Sequence, residues 1–367
     1  MGLKIRKTVF FLSKLIFSFH VLRKLNPWRK KIVLIDKSDG MGDIIMWLPY
    51  AKVMRQYYSP EKYKLNILIY HINKELIENF DFFDKIIVIP PYRGKLQWLL
   101  FRIKFWFQNT MDILISFHYS HSDLLSAYNP EEVISFCHSK VKSFRFGKKS
   151  VYFSADDLAI HDRFSVFLKY IGCHEPSIPF DYRTLILPPP SEFRNLDYIV
   201  VCPGANHSDR QWETEKFIQL INKLQKQFDC SIVLVGTRKE RVICEKIYES
   251  CLKKNSIIDL SGKTSIRQLF GIISQAKLLI SNETGTAHIG GVLGIKTFII
   301  AGGGDYGDFV PYPKEIEGKT VFSIFRNDHH CFRCLWTNPD CCKDGKTAPC
   351  ISDITVDMVF EKITMNL

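Results

Sequence analysis

KLLISNETGTAH, residues Lys277 to His288, decides the fold. Its opening run is apolar and strand-like as far as Ser281, and a short helix opens near Gly285. A strand that hands over to a helix through a glycine-bearing turn is the repeating half-unit of a parallel sheet. The same alternation continues on both sides of it. Upstream, YIVVC (Tyr198–Cys202), SIVLV (Ser231–Val235) and a short strand at Ser256–Asp259 alternate with helical patterns over Glu213–Phe228, Lys239–Leu252 and Thr264–Gln275. Downstream, Lys296–Ile300 reads as the last strand, before Gly302-Gly303-Gly304. The C-terminal half is therefore expected to be a parallel α/β domain, 198–367, with a cysteine-rich tail.

The N-terminal half repeats the logic. KIVLID (Lys31–Asp36) is a strand, Ser38-Asp39-Gly40-Met41-Gly42-Asp43 a turn, and an apolar helical pattern runs on to Tyr57. Further strands are expected at Leu65–Tyr70, Lys85–Ile89 and Asp112–Phe117, giving a second α/β domain over 31–175. Residues 176–197 lack periodicity and hold Pro176, Pro179, Pro188, Pro189 and Pro190, so they read as a linker. The fold class is α/β: two doubly wound domains facing a cleft, the place where open α/β sheets bind ligands.

A length of 367 residues suits two domains. With 46% hydrophobic and 24% charged residues the composition is that of a globular chain, which excludes disorder, collagen-like repeats and coiled coil. The formal net charge of +12 suggests nucleic-acid binding until its location is noted. Nine cations, from Lys4 to Lys31, precede the first acid, Asp36. Val9, Phe10, Phe11, Leu12, Leu15, Ile16, Phe17 and Phe19 lie between them. Residues 1–30 thus read as a basic amphipathic leader on an anionic membrane surface, the alternatives being a helix packed on the body or a secretory signal. No small-x-small cleavage site supports the signal, and Lys14 and His20 interrupt the best apolar stretch, which is too short to span a bilayer. Of eleven cysteines, Cys331, Cys334, Cys341, Cys342 and Cys350 cluster. They read as packed or disulfide-bonded thiols, a zinc site or a redox site. The other six read as small core residues of a reducing compartment.

Loops at strand ends carry the candidate chemistry, because the following helices aim N–H groups and a positive dipole end at a bound anion. Thr284, Gly285 and Thr286 suit a phosphate, with Glu283 and His288 beside them; an acidic cap over a core histidine is the alternative. In the loop Pro203–Trp212, Arg210 suits a diphosphate, unless it only pairs with Asp209 or Glu213. Gly40-Met41-Gly42-Asp43 lacks the third glycine of a dinucleotide fingerprint, since Ile45 stands there. Asp43 suits either a general base or a helix cap.

Taken in order, these loops resemble one family, glycosyltransferase family 9, the ADP-heptose:lipopolysaccharide heptosyltransferases. The carrying residues are Gly40-Met41-Gly42-Asp43 with Pro49, Pro203-Gly204 with Arg210 and Trp212, Gly236 with Glu240, Asp259 to Ser265, and Glu283-Thr284-Gly285-x-x-His288. The resemblance spans about Lys31 to Val359. It implies a GT-B fold, with acceptor bound by the first domain and nucleotide-sugar by the second, and inverting transfer without metal or cofactor. By the same resemblance Asp43 is the catalytic base, Arg210 neutralises the donor diphosphate and Glu240 binds the donor ribose. Thr284 and Gly285 form the phosphate turn, followed by His288; Asn206, Thr264 and Glu283 complete the donor-binding set. The family usually carries Asp where Glu283 stands, so the preferred sugar is expected to differ from heptose if that acid touches it. The expected partners are an ADP-heptose-like donor, a lipid-linked saccharide acceptor and the cytoplasmic face of the inner membrane, with no nucleic acid. A GT-B protein that binds a nucleotide sugar or a partner without turnover is the competing reading.

Overall fold

Lys31–Asp36 forms β1, and the helix Met41–Tyr57 follows after the turn at Gly40. The computed structural model describes residues 29–117, 122–125, 130–137, 149–154, 159–174, 180–330, 332–334, 336, 338, 341 and 346–367. Residues 1–28 of the basic leader, Cys331 and Cys342 lie outside these residues, while Arg29 at the leader's end pairs with Asp112. The chain divides into two units, residues 1–179 and 180–367. The division falls inside the proline-rich stretch read as a linker.

In the first unit, β2 (Tyr63–Tyr70), β3 (Lys85–Ile89), β4 (Ile113–Ser116), β5 (Glu132–Cys137) and β6 (Lys149–Ser154) join β1 in a parallel sheet ordered β3-β2-β1-β4-β5-β6. β1 is central because its residues from Val33 onward are buried. On the Met41–Tyr57 helix, Ile44, Ile45, Trp47, Leu48, Ala51 and Met54 are buried, a 3.6-residue stripe that keeps it on the sheet. Each fully buried side chain of this size stabilises the fold by roughly 1.5–3 kcal/mol.

The second unit has the same design. β7 (Tyr198–Cys202), β8 (Ser231–Leu234), β9 (Ile257–Asp259), β10 (Leu278–Asn282), β11 (Thr297–Ile300) and β12 (Val321–Ile324) form a parallel sheet ordered β12-β11-β10-β7-β8-β9. β11 is therefore not the last strand, as the sequence reading has it. The run of β12 is only four residues, preceded by Gly318 and a turn. All six strands are parallel, so the loops after β7, β8, β10 and β11 leave from one edge.

The stretch before β7 is packed onto this unit. Tyr182, Leu185 and Phe193 are buried, and Leu187 N–H donates to Arg267 O at 3.2 Å. It runs against the helix Ile266–Ser274 at Gly271, where a Cβ would meet Leu187 O at 1.8 Å. Ser265 caps that helix, its hydroxyl accepting from Gln268 N–H while the Gln268 side chain accepts from Ser265 N–H.

Candidate active site

In the first unit a buried polar network fixes the turn between β1 and its helix. Asp36 accepts from Ser38 Oγ at 2.6 Å and from Ser116 Oγ at 3.3 Å. Lys37 and Asp39 form an ion pair in which the Lys37 side chain is 1% exposed. The Lys37 ammonium also lies 5.6 and 5.3 Å from the ring centroids of Phe117 and Phe164. Asn73 Nδ2 donates to Asp39 O at 2.8 Å. Breaking a buried pair leaves an uncompensated charge, so this turn has one arrangement. It ends at Gly40, which occupies the N-cap position of Met41–Tyr57 and has no side chain to cap with. Asp43 is thus one turn inside the helix, half-buried, and is not the cap residue. Its Oδ2 lies against Gly40, where a Cβ would stand 3.0 Å away.

In the second unit one buried amide organises the loop after β7. Asn282, at the end of β10, donates from Nδ2 to Pro203 O at 2.8 Å and Gly204 O at 3.1 Å. Its Oδ1 accepts from Trp212 N–H at 3.1 Å, so both ends of the loop are held. The Trp212 indole is buried and donates to Ile354 O at 2.8 Å, tying the loop to the C-terminal segment. Asn206 is exposed on this loop. Glu240 lies directly on the Gly204 backbone, where a Cβ would meet its carboxyl at 2.3 Å. Its Oε2 accepts from Thr237 N–H at 2.6 Å, so one of its oxygens is engaged in capping. Thr264 is half-buried, one residue ahead of the cap Ser265.

The turn Glu283-Thr284-Gly285 leads from β10 into the helix Gly285–Leu293. Thr284 is the N-cap residue, with extended backbone and no side-chain cap bond. The first N–H groups of a helix have no acceptor within it; here Thr284 and Gly285 are half-buried at the mouth of the turn, while Thr286 and Ala287 are buried and Ala287 N–H donates back to Thr284 O at 3.0 Å. Below them Cys202 is buried, and burial pushes its thiol up to about 11, which makes it an inert packing residue.

Glu283 is 9% exposed, and its Oε1 lies 3.1 Å from His288 Nε2. The other ring nitrogen, Nδ1, pairs with the Tyr312 hydroxyl. The pairing assigns Tyr312 as donor to Nδ1, so the ring proton sits on Nε2 and points at Glu283. His288 is therefore spent within the protein, holding the Glu283 carboxylate in one orientation. Tyr312 remains protonated, because burial first and Glu283 second hold its hydroxyl well above the usual range.

Arg210 is aimed from the loop after β7 and Asp305 from the segment after β11. Arg210 Nη1 is 3.8 Å from Asp305 Oδ1, and the guanidinium lies 4.9 Å from the Trp336 ring centroid. Asp305 is 1% exposed. Burial, then the Glu283 charge, hold its carboxyl well above the usual carboxylate range, against the opposing pull of Arg210. Three loops of one sheet edge thus bring together Arg210, Glu283 and Asp305, beside a helix N-terminus. Sequence reasoning finds Arg210, Glu283, Thr284 and Gly285. It misses Asn282, Tyr312, Asp305 and Trp336. Asp305 was accessible to the same strand-end rule, since it follows Gly302-Gly303-Gly304; Trp336 has no local signal. Among the described residues Cys341 and Cys350 form no disulfide, and Cys341 Sγ lies 3.3 Å from His330 Nε2.

Two six-stranded parallel α/β units with a phosphate-type turn at one strand edge have the architecture of a GT-B glycosyltransferase. Residues 136–333, more than half of the chain, match the profile of glycosyltransferase family 9 (heptosyltransferase). The chain is 23% identical over 342 residues to the lipooligosaccharide heptosyltransferase 2 of Campylobacter jejuni subsp. jejuni serotype O:2, covering 90% of this chain and 96% of that protein. Its fold is similar to that of Escherichia coli ADP-heptose lps heptosyltransferase II, with a TM-score of 0.63 at 15% identity over 91% of this chain and 98% of that one. It is also similar to an E. coli heptosyltransferase solved with ADP-2-deoxy-2-fluoro heptose, with a TM-score of 0.64 at 16% identity over 92% and 100%. The chain belongs to glycosyltransferase family 9, and is a glycosyltransferase.

Proposed function

We propose that the protein transfers a sugar, heptose or a close relative, from an ADP-sugar to a lipopolysaccharide core or similar glycan, with inversion and without a metal. The observation that supports this reading is that Arg210 and Glu283, the residue just ahead of the Thr284-Gly285 helix N-terminus, both act on the Asp305 carboxyl. Departure of a nucleoside diphosphate develops negative charge, and preorganised N–H donors beside a cation lower that barrier. Glu283, oriented by His288, is left with one oxygen for a sugar hydroxyl, and Glu240 with one for the ribose. Asp43 in the first unit takes the proton of the acceptor hydroxyl as that oxygen attacks the anomeric carbon. Attack from the face opposite the leaving diphosphate inverts the centre.

The test is a panel of nucleotide sugars, read by thermal stabilisation and then by transfer to a heptose-acceptor saccharide. A ligand bound only by the native state raises the melting temperature, by an amount that grows with its concentration over Kd. ADP-heptose is expected to stabilise more than ADP, GDP- or UDP-sugars and to be consumed when acceptor is added. Stabilisation with no consumption would favour the binding protein without turnover. No stabilisation by any ADP-sugar would end the reading.

The membrane role belongs to the same proposal. Leader and acceptor would meet at the cytoplasmic face of the inner membrane, the six cations Lys4, Arg6, Lys7, Lys14, Arg23 and Lys24 contributing about 1 kcal/mol each near an anionic surface, while Arg29 and Lys31 pair with Asp112 and Glu131. Deleting residues 1–28 is expected to abolish co-sedimentation with anionic vesicles while leaving ADP binding intact. Equal sedimentation of the deleted form would remove the leader from the account.

A further inference from the structure

Trp336 comes from the cysteine-rich segment, between Cys334 and Cys341, far along the chain from Arg210. It is nevertheless built into the donor half of the site. Its ring lies on the Gly302-Gly303-Gly304 backbone: a Cβ at Gly302 would stand 2.4 Å from the ring, and one at Gly304 2.6 Å. The glycines after β11 are thus there to admit an indole. Its backbone adopts φ 57°, and Arg333 just ahead adopts φ 66°, a conformation uncommon for non-glycine residues. Arg333 N–H donates to Gly303 O at 2.9 Å, locking the segment in register. The indole Nε1–H donates to Asp305 Oδ1 at 2.7 Å, and the opposite side of the arrangement is the Arg210 guanidinium, 4.9 Å from the ring centroid.

Arg210 itself is only 30% exposed, yet among the described residues its guanidinium donates no hydrogen bond to protein. Its Nε is buried without an acceptor, and Asp305 Oδ2 is a buried oxygen without a donor. Asp305 Oδ1, at 3.8 Å, lies beside the cation without taking up its N–H groups. A guanidinium stacked on an indole, with its donors unused, is oriented and still free to chelate an anion.

We infer that Trp336 and Asp305 are positioning residues that bracket Arg210 for the donor diphosphate. The assignment rests on the reading of Arg210 as the diphosphate cation. Neither residue needs to touch substrate; both act by cutting the freedom that Arg210 would otherwise lose on binding.

The experiment is a double-mutant cycle on Trp336→Leu and Arg210→Ala, read as kcat/KM for ADP-heptose at saturating acceptor, with ADP affinity measured in parallel. Trp336→Leu is expected to lower kcat/KM about tenfold and to weaken ADP in proportion. In the Arg210→Ala background the same change should cost less than about twofold, because the group it positions is gone. Trp336→Phe retains a stacking face and should recover most of the loss. Should Trp336→Leu not fold, Asp305→Ala replaces it in the same cycle. An additive loss, or no loss, overturns the bracket while leaving Arg210 as the cation. Full activity of Arg210→Ala alone overturns both.

Discussion

Asp43→Asn is expected to lower turnover about 10²–10⁴-fold, the range for losing a positioned general base, while ADP and ADP-sugar affinity stay within about twofold of the starting protein. Asparagine fills nearly the same volume, and the helix Met41–Tyr57 has no side-chain cap bond to lose, so its fold is expected to be kept. The turn that presents residue 43 is fixed by Asp36, Ser38, Lys37, Asp39 and Asn73, none of which the substitution touches. A kinetic loss with unchanged donor binding therefore reports the lost proton acceptor. Normal turnover in the asparagine variant would leave Asp43 with no more than a favourable interaction with the helix dipole, worth about 0.3–1 kcal/mol.

Arg210→Ala is expected to lower kcat/KM about 10²–10³-fold, the cost of removing one donor aimed at developing charge. The loss should appear in both ADP affinity and turnover, because the diphosphate is present in the ground state and gains charge as it leaves. Arg210→Lys keeps the charge but not the planar fork, and a partial recovery of about tenfold separates charge from chelation. The measurement is steady-state kinetics with varied donor, together with ADP titration by calorimetry. If ADP binds Arg210→Ala as tightly as the unaltered protein, the arginine is a surface charge tethered to Asp305 and the helix N-terminus acts alone.

Much of the architecture could be read from the chain. β1, β3 and β7 have the bounds their apolar runs suggest, since each is a short β-branched stretch stopped by polar or glycine-bearing turns. β5 and β6 were missed because EVISFC and KSVYFS mix polar and apolar residues, as strands towards a sheet edge do. The helix Lys95–Gln108 was not assigned because its apolar residues run around the axis: Phe105 and Trp106 are buried, while Leu96 and Leu100 are exposed. The site divides along the same line. Glu283, Thr284 and Gly285 are contiguous and follow a strand, which is a local signal. Tyr312 and Trp336 act at a distance in sequence, and only folding brings them to His288 and Arg210. Arg210 and His288 show the limit most clearly. Their types and positions left function and packing equally open, and what separates the two is the company each keeps: His288 has a partner on both nitrogens, while among the described residues the Arg210 guanidinium finds no hydrogen-bond acceptor.

Gly271 settles where the second unit begins. The absent side chain is what allows the strand of backbone around Leu187 to lie flush on the helix Ile266–Ser274, and with it come the buried rings of Tyr182 and Phe193. The prolines there keep that backbone extended, so they serve as cladding for the domain behind them and give it no slack. The compact second unit therefore begins at Phe180, ahead of Pro188, Pro189 and Pro190 and of the first strand of its sheet.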